Sequence, residues 1–317
     1  MDDRPRRRGA PRFALIALIA LVPVGYFISV VVPRPTVARR GSPPSKADVG
    51  AAAADVGTRL ENLALSAMSG AVEVRKGRGG TYQLAQLGAR LAAEDEVRTG
   101  DGRATLTAGG SFEVQIESGT ELSIEELNER LSRFELGSGM LVAAVHGAGH
   151  SLVVKALHSD AQAVARGGTF AMSSNGSGAV AVGARKGEVE FSAAGKAVML
   201  RAGQQSIALG GAPQPPSAIP TSLFLKVGWP ETGVINRSRI TVSGVTAPGA
   251  VILVEGVSAR VEKDGRFSAA LELREGINVV HAEGQDVGGH RVTERGRVEL
   301  DTTAPDSVIQ TEKLWAQ

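Results

Sequence analysis

The chain has 317 residues, a formal net charge of +2 and no cysteine. These values exclude disulfides and thiolate metal sites, and with the positive excess concentrated at the N-terminus they leave no basic face for nucleic acid. The length admits about two domains, and 40 glycines set between short alternating runs point to a turn-rich, all-β chain.

Residues 1–12, MDDRPRRRGAPR, are basic and lack an apolar pattern. Phe13–Val32 follows as an uncharged run of 20 residues, the length an α-helix needs to cross a hydrocarbon core about 30 Å thick. Pro23 and Gly25 inside it are tolerated in membrane helices, with a kink expected at Pro23. The run exceeds a cleaved signal peptide's apolar core of about 7–15 residues, and Val37-Ala38 is a poor cleavage site. An uncleaved signal anchor is the preferred reading over a cleaved leader or a buried core helix. Arginines 4, 6, 7, 8 and 12 outweigh Arg34, Arg39 and Arg40. The positive-inside rule then puts a short tail (1–12) in the cytoplasm and the bulk of the chain outside.

Residues 33–67 read as a Pro/Ala-rich stalk, with Thr58–Ala67 open between a short helix and a lead into a strand. From 68 to 209 strand follows strand. The clearest alternation lies in Gly100–Ile124, where Ala104, Leu106, Ala108, then Phe112, Val114, Ile116, then Leu122 and Ile124 occupy every second position. A charged segment, Glu125–Arg133, breaks the pattern and is left as helix or loop. No strict repeat period is present, so a rolled or solenoid-like β domain is expected without a regular solenoid. Residues 210–221 read as a Pro-rich linker. Residues 222–303 carry about seven short strands, as an immunoglobulin-like sandwich requires, and 304–317 is expected to be a loose tail.

Residues 68–209 resemble the FecR domain of bacterial envelope proteins. The resemblance rests on Gly70–Val74; on Asp95, Thr99, Gly100, Gly102, Arg103 and Ala104 within the run from Glu94 to Leu106, where Glu94 stands at a commoner glycine; on Gly110–Ile116 and Thr120–Ile124; on Arg166–Phe170, with Gly168, Thr169 and Phe170; and on Gly187–Val189 with Ala202, Gly203 and Gln204. The second module resembles bacterial Ig-like modules found beside glucodextranases, through Ile240–Val245, Pro248–Val251, Asp264, Gly265 and Phe267, Gly276 and Asn278, and Asp301–Pro305. The first resemblance implies a single-pass protein of the bacterial inner membrane with its bulk in the periplasm, and an envelope sensor that relays a signal to a sigma factor. That arrangement needs a cytoplasmic anti-sigma region, and only 12 residues precede the apolar run here. The second implies a binding module and no catalytic activity.

Catalytic constellations are weak. His146, His150 and His158 are spaced HGAGHSLVVKALH, but glycines disfavour a helix there and no acidic cluster completes a zinc site. Glu121, Glu125, Glu126 and Glu129 read as a solvated strand face and not as a glycosidase pair. No nucleophile elbow is present, and Lys76–Gly80 is not a phosphate loop. Trp229 reads as packing before sugar stacking, and Trp315 is the other tryptophan. No catalytic, cofactor or metal residue is assigned and no enzyme activity is expected. The expected function is envelope protein binding, scaffolding or signal sensing. The alternatives are a FecR-type regulator of an extracytoplasmic-function sigma factor and an accessory carbohydrate-binding protein. Expected partners are the inner membrane through Phe13–Val32, envelope proteins and, further, a glycan.

Overall fold

The computed structural model describes residues 63–230 and 234–303. Every regular element among them is a strand. The expected tail, membrane anchor, most of the stalk and the C-terminal tail lie outside the described residues.

The first strands are β1 (Leu63–Ser69), β2 (Val72–Arg75), β3 (Tyr82–Leu84), β4 (Arg90–Leu91) and β5 (Glu96–Thr99). The alternating stretch forms β6 (Arg103–Ala108), β7 (Phe112–Ile116) and β8 (Glu121–Leu127). Then come β9 (Leu131–Leu136), β10 (Gly139–Val145), β11 (Ser151–Ala156), β12 (Gln162–Ala165) and β13 (Gly168–Ser174). β14 (Ala179–Lys186), β15 (Glu188–Ala193), β16 (Lys196–Arg201) and β17 (Gln204–Leu209) finish the first module, and β18 (Ser217–Ala218) follows in the Pro-rich segment. The second module holds β19 (Leu225–Gly228), β20 (Val234–Ile235), β21 (Arg239–Thr246), β22 (Val251–Val254), β23 (Val257–Val261), β24 (Arg266–Glu272), β25 (Gly276–Gln285) and β26 (Arg291–Leu300).

Two nine-stranded sheets build the first module. Their orders are β18-β17-β14-β13-β10-β7-β6-β1-β4 and β16-β15-β12-β11-β9-β8-β5-β2-β3. The chain visits the sheets in turn, and nearly every visit lays new strands beside the last, so the module lengthens as the sequence advances. Neighbours are antiparallel except β9 and β11, which run parallel. One apolar core lies between the sheets. Within it the Phe112 ring meets Phe134 edge-on, with centroids 5.9 Å apart.

Two local readings change. Glu125–Arg133 is neither helix nor loop throughout: it closes the β8–β9 hairpin. A bulge between Ile124 and Glu126 puts one extra residue into β8 and disrupts the alternation there. Asn128 Oδ1 accepts the Arg130 and Leu131 N–H groups at 3.0 and 2.6 Å and fixes the turn. β1 opens at Leu63, inside the expected stalk.

The second module is an eight-stranded Ig-like sandwich with its own core around Val242, Ile252, Phe267 and Val298. All described residues belong to one compact unit, and the two modules are docked. β10, β13 and β14 are buried along nearly their whole length. Their second face offers Met140, Val142, Ala171 and Ala181, which Val287 and Val251 of the second module cover. Glycines permit the approach. A Cβ on Gly183 would lie 2.9 Å from Val287 Cγ2, and one on Gly249 2.6 Å from Ala181 Cβ. Polar bonds close the seam: Ser173 Oγ donates to the Gly249 carbonyl at 2.5 Å and Asn175 Nδ2 to the Val261 carbonyl at 2.9 Å. The Pro-rich segment is strapped to the edge of the first sheet, where Ile219 N–H donates to the Gly203 carbonyl at 2.9 Å and Ser206 Oγ to the Gln214 carbonyl at 2.6 Å.

Candidate functional site

The motif residues behind the two resemblances hold backbone in place. Asp95 is 5% exposed. Its carboxylate accepts the Ala92 and Gly77 N–H groups at 2.9 and 3.0 Å and pairs with Lys76 at 2.7 Å, locking two turns together. Thr99 Oγ1 donates to the Glu117 carbonyl at 2.6 Å and accepts the Thr120 N–H at 2.9 Å. Gly100 N–H bonds the Ala71 carbonyl at 3.0 Å. At Gly102 a Cβ would come within 2.5 Å of the Ala71 carbonyl oxygen, so only glycine fits. Ala104 and Phe170 are core, and Gly168, at φ 89°, faces the Lys186 carbonyl where Thr169 starts a bulge. Gly187 turns β14 into β15, while Ala202 and Gly203 turn β16 into β17, with Gln204 Oε1 accepting the Arg201 N–H at 2.9 Å. In the second module Asp264 Oδ1 accepts the Arg266 N–H at 3.0 Å, Gly265 sits at φ 83°, and Phe267 is core. Asn278 ties off the turn at Gly276, accepting the Arg274 N–H at 2.9 Å.

One motif residue reaches beyond its own turn. Arg103 Nε donates to Glu117 Oε2 at 2.9 Å, and Arg291 of the second module donates to the same oxygen at 2.8 Å. Glu117 is 8% exposed. Arg185 stands nearby and donates from Nε to the Val287 carbonyl at 3.0 Å. Burial pulls its guanidinium below the usual value, against the opposing pull of Glu117 and Asp286. Beside this cluster a cleft of about 100 Å³ runs between the modules, walled by Arg103, Glu117 and Ser118 on one side and Leu253, Arg291 and Thr293 on the other. Arginine does not release its proton in proteins, so the cluster holds its charge in place and ties the two modules together.

The histidines do not converge. His150 is 2% exposed, stacked on Phe112 with centroids 5.1 Å apart, and its Nδ1–H donates to the Glu129 carbonyl at 3.0 Å. His146 and His158 lie on the exposed surface. Among the described residues no group of three or more His, Cys, Asp or Glu is placed to hold a metal. The carboxylates sit on the outer face of the second sheet with cations: Glu121 pairs with Arg98 at 2.9 Å, Glu126 with Arg133 at 2.8 Å and Glu125 with Lys155 at 3.6 Å, while Glu129 is exposed. Burial, and then Glu125, raise the Glu135 carboxyl on the same face. Tyr82 lies between Arg75 and Arg98 and donates its hydroxyl to Glu96; burial first, then that bond, push its pKa to about 12. Lys76–Gly80 forms the turn that Asp95 pins. Trp229 is partly buried against Gly296, where a Cβ would overlap its ring. Trp315 lies outside the described residues.

Sequence reasoning missed the junction, although a signal existed. Strands buried on both faces read as continuous apolar runs, and Met140–Val145 and Ala179–Val182 are such runs beside the strictly alternating β6 and β7.

Comparison with known proteins bears chiefly on the second module. Residues 225–302 match the family described as Glucodextranase, domain B. No curated protein matches the chain. Among solved structures, a candidate anti-sigma factor from Parabacteroides distasonis ATCC 8503 is similar at 19% identity and a TM-score of 0.34, over 39% of this chain and 59% of that one. The chain therefore spans less than two thirds of that structure's length. A second crystal structure of the same description covers 38% and 57% at the same identity and TM-score. Fibronectin(III)-like modules of Clostridium thermocellum CbhA are similar at 11% identity and a TM-score of 0.22, over 56% of this chain and 93% of that one.

Proposed function

We propose that this chain is a non-catalytic, membrane-anchored binding or scaffold protein of the bacterial envelope. It presents a FecR-like module and an Ig-like module to partner proteins as one rigid body. The observation that carries the reading is the docking seam. Docking buries apolar surface on both modules, uses glycines where the backbones approach, and is clasped by Arg103, Glu117 and Arg291. Such a seam fixes the spacing of two recognition surfaces, which suits a scaffold. The anchor is Phe13–Val32, and the motif residues from Asp95 to Ala104 support the FecR-like assignment.

The test is crosslinking in living cells from exposed positions on both modules, combined with transcript profiling of a deletion strain. Envelope proteins crosslinked to both modules, with transcripts unchanged, are the expected outcome. A transcript change confined to one sigma regulon would overturn the scaffold reading in favour of a FecR-type regulator. Activity only in the cytoplasm of a reporter fused after Gln317 would remove the periplasmic placement.

A further inference from the structure

The turn between β13 and β14 carries Ser174-Asn175-Gly176-Ser177, and Asn175 is the one asparagine of the chain that glycine follows. Its side chain bonds in two directions. Inside the turn, Oδ1 accepts the Ser177 and Ala179 N–H groups at 2.9 and 3.0 Å. Across the junction, Nδ2 donates to the Val261 carbonyl of the second module at 2.9 Å. The Gly176 N–H donates to Ser174 Oγ at 3.1 Å, and that hydroxyl donates to the Gly137 carbonyl at 3.2 Å. Asn175 and Gly176 are half-buried. Beside them lies a cavity of about 220 Å³, walled by Ser138 and Ser174 of the first module and by Ser258 and Arg260 of the second. Water therefore has room at the amide.

We infer that Asn175 is a deamidation site whose conversion releases the second module from the first. Asparagine is among the thermolabile residues, and water is the only co-reactant the step needs. The Gly176 nitrogen gives up its proton and attacks Asn175 Cγ. The new C–N bond closes a five-membered imide, the Cγ–Nδ2 bond breaks, and ammonia leaves with the proton that Gly176 lost. Water then opens the ring, adding hydroxide to one carbonyl carbon and returning a proton to the Gly176 nitrogen. Opening at Cγ gives aspartate, and opening at the main-chain carbonyl of residue 175 gives isoaspartate. Three features of the turn favour closure. Glycine puts no side chain beside the attacking nitrogen. The two N–H groups on Oδ1 face the oxygen on which negative charge develops as Cγ becomes tetrahedral. Ser174 Oγ accepts from the nitrogen that must lose its proton. The opposing feature belongs to the second module: the Val261 carbonyl holds the leaving amide, whereas closure requires that amide to turn and depart. Docking thus protects the site and opening exposes it. The product does not remake the bond, because a carboxylate has no N–H to offer Val261, although aspartate still accepts the Ser177 and Ala179 N–H groups. Deamidation thereby turns a reversible opening into a lasting one. The inference goes beyond the binding reading and concerns how long the two surfaces stay in fixed register, whatever partner they meet.

The test ages the full-length chain in neutral detergent at mildly alkaline pH, where the Gly176 nitrogen loses its proton more readily. Peptide mass spectrometry then maps amide loss at each asparagine. Asn175 is expected to convert ahead of every other asparagine. Gly183→Val, whose side chain would press on Val287, opens the seam from a different position. It is expected to speed conversion about fivefold or more, the lower end of its effect on docking. Asn175→Asp reproduces the aspartate product without ageing. A protease is expected to cut it within residues 210–221 about tenfold faster than the unaged wild-type chain, because one seam hydrogen bond is lost and cutting follows the population of the open form. Should Asn175→Asp fail to fold, the deamidated fraction of the aged wild-type chain, separated by its added negative charge, takes its place with the same acceleration expected. Earlier conversion of another asparagine overturns the inference, as do equal conversion rates in the wild-type and Gly183→Val chains. Cutting of the aspartate form at the wild-type rate overturns it equally.

Discussion

Gly183→Val tests the seam without touching either core. Gly183 lies on β14, whose neighbours Val182 and Ala184 point into the first core while Gly183 points outward. An added Cβ would lie 2.9 Å from Val287 Cγ2 and 3.2 Å from the Val287 carbonyl oxygen. Valine adds two methyl groups beyond that atom. Overpacking of this kind costs roughly 1–3 kcal/mol. Since the clash is with the partner module, the cost falls on docking, and at about 1.4 kcal/mol per decade the docked fraction relative to the open form drops roughly 5- to 140-fold. Differential scanning calorimetry should then resolve two transitions in place of one, and proteolysis should open the Pro-rich segment 210–221. A single unshifted transition with unchanged protease resistance would refute the argument that this seam couples the modules.

The core and the motif residues give sharper local expectations. Phe112→Ala removes a 1% exposed ring packed on Phe134 and His150 and should cost about 3–5 kcal/mol, read as a lower urea midpoint with unchanged slope, whereas Glu113→Ala on the same strand should move it little. Gly102→Ala should destabilise by about 1–3 kcal/mol or prevent folding, because the new Cβ meets the Ala71 carbonyl oxygen at 2.5 Å; a wild-type melting temperature would contradict that geometry. Thr99→Val leaves the Thr120 N–H and the Glu117 carbonyl without their hydroxyl partner and should cost about 1–3 kcal/mol. Tyr82, with its pKa raised from 10.0 to about 12, binds its proton more tightly folded than unfolded. Its stabilising contribution is complete below the unfolded value and disappears as pH rises from there through about 12. Tyrosinate absorbance should show that late titration, and Tyr82→Phe should remove it.

What was legible in the sequence follows from where the stabilising contacts come from. β6, β7 and β8 each have one buried and one polar face, so period two reads directly from Ala104, Phe112 and Leu122 onward. The glycines and Asp264 that shape turns act locally and are equally visible. The β8 bulge was not, because consecutive Glu125 and Glu126 look like the end of a strand unless the partner Arg133 is known. The parallel pairing of β9 with β11 and the seat of His150 on Phe112 depend on residues far apart in sequence. The junction lay between these cases. Its apolar runs were present as strands, but recognising a second buried face requires knowing that another module covers it, and the ion cluster joins Glu117 to Arg291 across 174 positions.

The proposed scaffold requires the two modules to present their surfaces as one rigid body. The absence of cysteine lets two introduced thiols be spin-labelled without background, at exposed Lys196 in the first module and exposed Ser268 in the second. Pulsed dipolar spectroscopy on K196C/S268C should give a single narrow distance distribution, which Gly183→Val broadens. A broad distribution in the otherwise native chain would mean that the modules move independently and would contradict rigid docking.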